Sequence, residues 1–114
     1  RQAGSFKVMQ IDATRVAGPQ EIVLEYLLAN KFGVRVCPHA GGVGLCEAVR
    51  HFAMSDYLAV SGQWDDRVIE YVDNQHEYFV HPTEIVNGRY KAPTAPGSGV
   101  DMKLEAAERC LYKG

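Results

Sequence analysis

The sequence predicts an α/β fold built on a parallel sheet, and three observations carry it. Short β-like runs alternate with helix-length amphipathic stretches, in the order strand, helix, strand, helix, strand, which is that of two consecutive βαβ crossovers. Glycine and proline punctuate the boundaries of those stretches. The second strand empties into Pro38-His39-Ala40-Gly41-Gly42-Val43-Gly44, a histidine in a glycine-rich turn ahead of a helix. In parallel α/β folds that strand-to-helix junction is the face that carries chemistry.

The first element is Val8-Met9-Gln10-Ile11-Asp12, a strand-like run ending on an acid. The Gly18-Pro19 break precedes a helix expected over 20–30, since proline suits a first helical turn, where its missing N–H costs nothing. Ile22, Val23, Tyr26, Leu27 and Ala29 fall mostly on one face of it. Gly33 ends the helix, and 34–37 forms the second strand. A helix is expected over 45–54 and a third strand over 57–60. Residues 63–66 are polar and turn-like, and 68–72 is either a short strand or a loop carrying Glu70. Residues 84–90 read as a hairpin, because Asn87-Gly88 is the strongest two-residue turn signal. Residues 93–99, rich in proline and glycine, are expected to be irregular, and 104–111 to form a short last helix.

Strand parity assigns faces. Gln10 and Asp12 share one side, and Arg35, Cys37 and His39 share one side, with Met9, Ile11, Val34 and Val36 turned toward the helices. Neighbouring parallel strands lie about 4.8 Å apart, so Asp12 and His39, each at the exit of its strand, are expected to meet. A carboxylate on one ring nitrogen fixes the tautomer and supports an imidazolium, and histidine exchanges protons near neutrality. Asp12 also has a plainer reading, as an acid favoured by a helix dipole. Arg15, just past the strand exit, is a candidate partner for Asp12 or for a carboxylate ligand. His51, His76 and His81 read as surface groups.

The glycine run has rival readings. Ahead of a helix it resembles a phosphate cradle, but it matches neither the Walker pattern nor the dinucleotide fingerprint. A helix-turn-helix over 20–35 is a further alternative. Composition is that of an ordinary globular domain, 46% hydrophobic and 23% charged. A formal net charge of −2 argues against nucleic acid or an anionic membrane as partner, and no apolar run approaches the ~20 residues of a membrane span. Cys37, Cys46 and Cys110 form an odd set without zinc spacing, expected to be small buried thiols in a reducing, cytoplasmic compartment, or mitochondrial in a eukaryote.

The segments Gln10-Ile11-Asp12-Ala13-Thr14-Arg15, Val36-Cys37-Pro38-His39-Ala40-Gly41-Gly42-Val43-Gly44-Leu45-Cys46-Glu47 and Glu70-Tyr71-Val72-Asp73 resemble the C-terminal part of the enolase superfamily. The likeness is to its mandelate racemase/muconate lactonizing-like branch, and most of all to L-fuconate dehydratases. It implies strands six to eight of a modified (β/α) TIM-type barrel in 1–80, and an irregular tail with a hairpin in 81–114 that returns toward a capping domain. It also implies a role for each site residue. His39 is the base or acid on the seventh strand and touches substrate, Asp12 is its orienting partner on the sixth, and Glu70 hydrogen-bonds substrate. Such enzymes remove the proton α to a sugar-acid carboxylate, stabilise the product on Mg²⁺ and expel the β-hydroxyl as water.

The chain is far shorter than that family's proteins. It offers no paired-lysine motif and no three strand-end acids, so Mg²⁺ is expected to belong to the parent enzyme, with no ligand in this chain. It reads as a C-terminal fragment or one half of a split protein. The expected partners are a sugar acid, the rest of the barrel and capping domain in the same or another chain, and further copies in a homo-oligomer. Two alternatives stay open. One is a catalytically inactive truncated piece with an interaction or structural role. The other is a parent that is a racemase or a dehydratase of another acid sugar.

Overall fold

The computed structural model describes residues 4–114. Strand β1 (Val8–Ile11) leads into helix α1 (Pro19–Lys31), and strand β2 (Arg35–Pro38) lies parallel to β1, with Gln10 opposite Cys37 and Ile11 opposite Pro38. This is one βαβ unit. Helix α2 (Leu45–Ser55) follows, and the chain then runs through a π-helical turn, Asp56–Ser61, and a 3-10 turn, His76–Tyr78. Strands β3 (Ile85–Val86) and β4 (Arg89–Tyr90) pair antiparallel, and helix α3 (Leu104–Arg109) comes last.

The parity of the strands places the core. Ile11, Val34 and Val36 are buried with Ile22, Tyr26 and Ala29 of α1, while Arg35 on the opposite side of β2 is exposed. The buried stripe of α1 is narrower than the sequence implies. Val23 and Leu27 remain 42% and 50% exposed, because residues spaced three and four apart from Ile22 continue through Tyr26 and Ala29 and leave their neighbours on the flank. A second core, Ala40, Leu45, Cys46 and Val49, gathers under the glycine-rich turn with Ile69, Val72 and Tyr90 packed on it.

Residues 57–60 do not form the expected third strand. A four-residue apolar run carries no period of its own, and here it extends α2 as a wide helical turn. Arg67 Nη1 pairs with the buried carboxylate of Asp56 at 3.1 Å, and Gly62, at φ 61°, takes the left-handed conformation that ends the turn. The place beside β2 is taken instead by the segment around Glu70, whose N–H donates to the Pro38 carbonyl at 3.1 Å. The last helix also stops early, at Arg109. The helix-turn-helix alternative fails, because β2 is an extended strand paired with β1.

His76 is not the surface group expected. Its Nδ1 lies 2.9 Å from Oε1 of Glu47, a carboxylate only 1% exposed, and its Nε2 lies 2.8 Å from the Val72 carbonyl. The ring stacks on Tyr71, with centroids 5.4 Å apart. The Thr83 N–H donates to the same Glu47 oxygen at 3.0 Å. Arg50 donates to the His81 carbonyl at 3.3 Å, and His51 Nε2 reaches the Ser98 carbonyl at 2.8 Å. Through these contacts α2 carries the tail. Of the cysteines, Cys46 is buried, Cys37 half-buried and Cys110 exposed, so the expectation of three buried thiols fails at Cys110, which follows the short α3.

Burial works against both charges of the Glu47–His76 pair. Hydrogen bonds from His76 and Thr83 nevertheless hold the Glu47 carboxyl below its usual range, and Glu47 and the Val72 carbonyl hold the His76 ring above its own. A depressed acid stabilises above its unfolded pKa, and a raised histidine stabilises below its unfolded pKa. The contribution of the pair is therefore complete between about pH 4.3 and 6.5 and declines on either side. Glu47→Ala strands the Thr83 N–H and a half-buried imidazolium and is expected to cost about 3 kcal/mol in urea unfolding at pH 6. Loss of the variant's deficit at pH 6 would contradict this account.

Candidate active site

The site stands at the C-terminal ends of β1 and β2, where three segments converge. The His39 N–H donates to the Ile11 carbonyl at 2.8 Å, continuing the parallel ladder one step beyond the strands. That bond sets the histidine beside Asp12, the residue that leaves β1. Glu70 arrives from the irregular segment after the π-helical turn. It is fixed to β2 and the turn that follows it, by its own N–H on the Pro38 carbonyl and by the Ala40 N–H, which donates to its Oε2 at 2.7 Å.

The imidazole of His39 lies between two carboxylates. Nδ1 is 2.5 Å from Glu70 Oε2, and Nε2 is 3.8 Å from Asp12 Oδ2. The sequence pairs the ring with Asp12, yet the close contact in the structure is with Glu70. Asp12 is occupied elsewhere. Its Oδ1 accepts from the Thr14 N–H at 2.9 Å and the Thr14 hydroxyl at 2.7 Å, and its Oδ2 accepts from Arg15 Nε at 2.9 Å. This is an aspartate-closed turn, and it is legible in the spacing of Asp12 and Thr14. Arg15 thus meets Asp12, as its position after the strand allows. Asp12 does not serve as a helix-dipole acid, since the first-turn acid of α1 is Glu21.

Both carboxyls sit below their usual range. The Thr14 hydroxyl is the main cause for Asp12, with the Thr14 N–H, Arg15 and His39 adding to it. The Ala40 N–H is the main cause for Glu70, with His39 adding to it. The side chain of His39 is 29% exposed and that of Glu70 34%, so a small polar molecule reaches both. Histidine so flanked is suited to accept a proton and return it, with anionic groups supporting the imidazolium.

The glycine run serves the ring and is not a phosphate cradle. A Cβ on Gly41 would lie 2.7 Å from His39 Cε1, so only glycine leaves the ring this place. The Gly42 N–H bonds back to the Ala40 carbonyl and the Leu45 N–H to the Gly42 carbonyl, which turns these donors inward. Gly44 caps α2 at φ 73°.

Mg²⁺, implied by the resemblance, does not fit the described residues of this chain. Among the described residues no group of three or more His, Cys, Asp or Glu side chains converges to hold a metal ion. Near-octahedral oxygen ligation is not available from Asp12 and Glu70, whose oxygens face Thr14, Arg15, Ala40 and His39. No helix among the described residues is long and apolar enough to cross a membrane. One feature of the site is absent from the sequence reading: the Tyr90 hydroxyl donates to the Glu70 carbonyl at 2.5 Å, and an aromatic beside a hairpin turn carries no local signal for such a bond.

Comparison with known proteins shows the family of the chain. Residues 1–107 match the family described as "Enolase C-terminal domain-like". The chain is 47% identical over 105 residues to "Mitochondrial enolase superfamily member 1" of Xenopus laevis, covering 92% of this chain and 24% of that protein. It is 43% identical over 111 residues to "L-galactonate dehydratase" of Hypocrea jecorina, covering 97% of this chain and 24% of that protein. The crystal structure of human mitochondrial enolase superfamily member 1 superposes with a TM-score of 0.92 at 43% identity, over 97% of this chain and 25% of that one. The chain therefore spans about a quarter of the length of the relatives it matches. On that match, and with the strand-end histidine in place, the chain belongs to the enolase superfamily, corresponding to the C-terminal part of its proteins.

Proposed function

We propose that this chain is the proton-transferring C-terminal part of a sugar-acid dehydratase, a hydro-lyase. The observation that carries the proposal is the His39 ring, held at the exit of the parallel pair between Glu70 and Asp12. The similarity to a protein named L-galactonate dehydratase supports the substrate class. L-Fuconate is 6-deoxy-L-galactonate, so the two acids share their configuration at the reacting carbons. We take L-galacto-configured aldonates, L-fuconate foremost, as the substrate.

In this reading the C–H bond α to the carboxylate breaks, its proton passes to a base and its electrons pass toward the carboxylate. The bond from the β-carbon to its hydroxyl then breaks, and the oxygen leaves as water with a proton from an acid. The resulting enol becomes a 2-keto-3-deoxy acid. His39 moves a proton in this sequence through Nε2, the nitrogen without a partner inside hydrogen-bond distance among the described residues. Glu70 orients the ring through Nδ1, and its half-exposed carboxylate also accepts from a substrate hydroxyl. Asp12, braced by Thr14 and Arg15, supports the charged ring from the other side. Mg²⁺ in such a protein would be held by residues outside this chain, as would the capping domain. A mitochondrial location follows the names of the relatives, and a homo-oligomer is part of the same proposal.

In the full-length protein, His39→Asn should lower kcat for L-fuconate dehydration by about 10²- to 10⁴-fold while the melting temperature stays near that of wild type. Undiminished turnover would refute the assignment. Gly41→Ala should leave the fold intact but swing the His39 ring away from its carboxylates, which a crystal structure of the variant would reveal directly. The 114-residue chain alone is expected to turn over no sugar acid; measurable product from the pure chain would show that the site is more complete than proposed.

A further inference from the structure

We infer that Tyr90, on the hairpin of the tail, is a positioning residue for Glu70 and through it for the ring of His39. Its effect on turnover rests on the dehydratase reading above. Its effect on the ring rests on geometry alone. Glu70 lies in no strand, and its backbone N–H is held by the Pro38 carbonyl of β2 at 3.1 Å. Its carbonyl accepts the Tyr90 hydroxyl at 2.5 Å. A carbonyl oxygen only accepts, so the phenol donates. The two bonds grip the same residue from opposite sides, and a backbone rotation that withdraws the carboxylate from His39 breaks at least one of them.

Tyr90 is itself fixed. It pairs with Ile85 across the Asn87-Gly88 turn. Its ring meets Tyr71 edge-on, with centroids 6.0 Å apart and planes at 82°, and packs on the cluster that contains Ala40 and Cys46. Burial pushes the phenol far above its usual pKa, so the hydroxyl keeps its proton at every working pH. The groups facing the His39 ring are Glu70 and Asp12, with Arg15 on Asp12. Of these, Glu70 makes the close contact, and Tyr90 is what ties that residue to the tail.

The test uses Tyr90→Phe in the full-length protein, which keeps the ring and removes the donor. NMR of labelled imidazoles is expected to show the Nδ1 proton of His39, which faces Glu70, exchanging with water faster than in wild type, because Glu70 is held in place less well. The kcat for L-fuconate is expected to fall about three- to tenfold with KM little changed. Tyr71→Phe, which loses a hydroxyl bound to Asp73, should leave both readings at wild-type values. Unchanged exchange of the His39 Nδ1 proton in Tyr90→Phe overturns the inference. Faster exchange in a protein whose wild type dehydrates no sugar acid supports the positioning and overturns the proposed function instead. Should Tyr90→Phe fail to fold, wild-type spectra decide: a slowly exchanging Tyr90 hydroxyl proton close to Glu70 supports the bond, and its absence overturns it.

Discussion

The backbone of Pro38, His39 and Ala40 is the constraint on which the rest of the site depends. Each of the three residues makes one bond that cannot be made from another register. Proline has no N–H, so residue 38 only accepts, and its carbonyl takes the Glu70 N–H. His39 donates to Ile11, and Ala40 donates to the Glu70 carboxylate. A one-residue slip of β2 would exchange its faces, burying Arg35 and turning the imidazole into the α1 core. Val34 and Val36 against Ile22, Tyr26 and Ala29 hold that register, so the hydrophobic core and the chemistry are fixed by one alignment of β1 with β2.

Below this junction lies a charged layer that is costly to build. Glu47, at the start of α2, is almost wholly buried, and an ion there needs a full set of partners. It finds them in the His76 ring and the Thr83 N–H, which belong to the tail. Arg50, one turn further on, reaches the His81 carbonyl, and a Cβ at Gly99 would meet its guanidinium at 2.6 Å. The face of α2 that looks like an ordinary polar surface in sequence is thus the seat of the tail, and the tail in turn delivers the Tyr90 hydroxyl to Glu70.

Much of this was legible in the chain where the signal is local. The alternation of Met9, Ile11, Val34 and Val36 identified the faces of the sheet, Gly18-Pro19 and Gly33 bounded α1, and the Asp12–Thr14 spacing carries its own turn. The readings that failed depend on partners distant in sequence. Residues 57–60 are apolar enough for a strand, but the pairing of Asp56 with Arg67 and the left-handed Gly62 settle them as a helical extension. Polar neighbours make His76 look like a surface histidine, and only its distance from Glu47 shows otherwise. The same limit hid the preference of the His39 ring for Glu70 over Asp12, because side-chain occupancy by Thr14 and Arg15 decides it, not strand spacing.

Charge explains why the proposed reaction belongs to a protein larger than this chain. Hydrogen bonds hold both Asp12 and Glu70 below the usual carboxylate range, so both are ionised at neutral pH. The arginine beside them is Arg15, whose side chain is 83% exposed and is paired with Asp12. A sugar acid brings a further negative charge, and its ionised form gains more as the α-proton leaves. Two fixed anions support an imidazolium well but repel such a substrate, since like charges at these distances cost energy even under solvent screening. The positive field that draws the substrate onto His39 is, under the proposed function, supplied chiefly by the rest of the barrel. Under the proposed function, this chain supplies the proton carrier and its two supports, and the remainder of the barrel supplies the charge that makes the carrier useful.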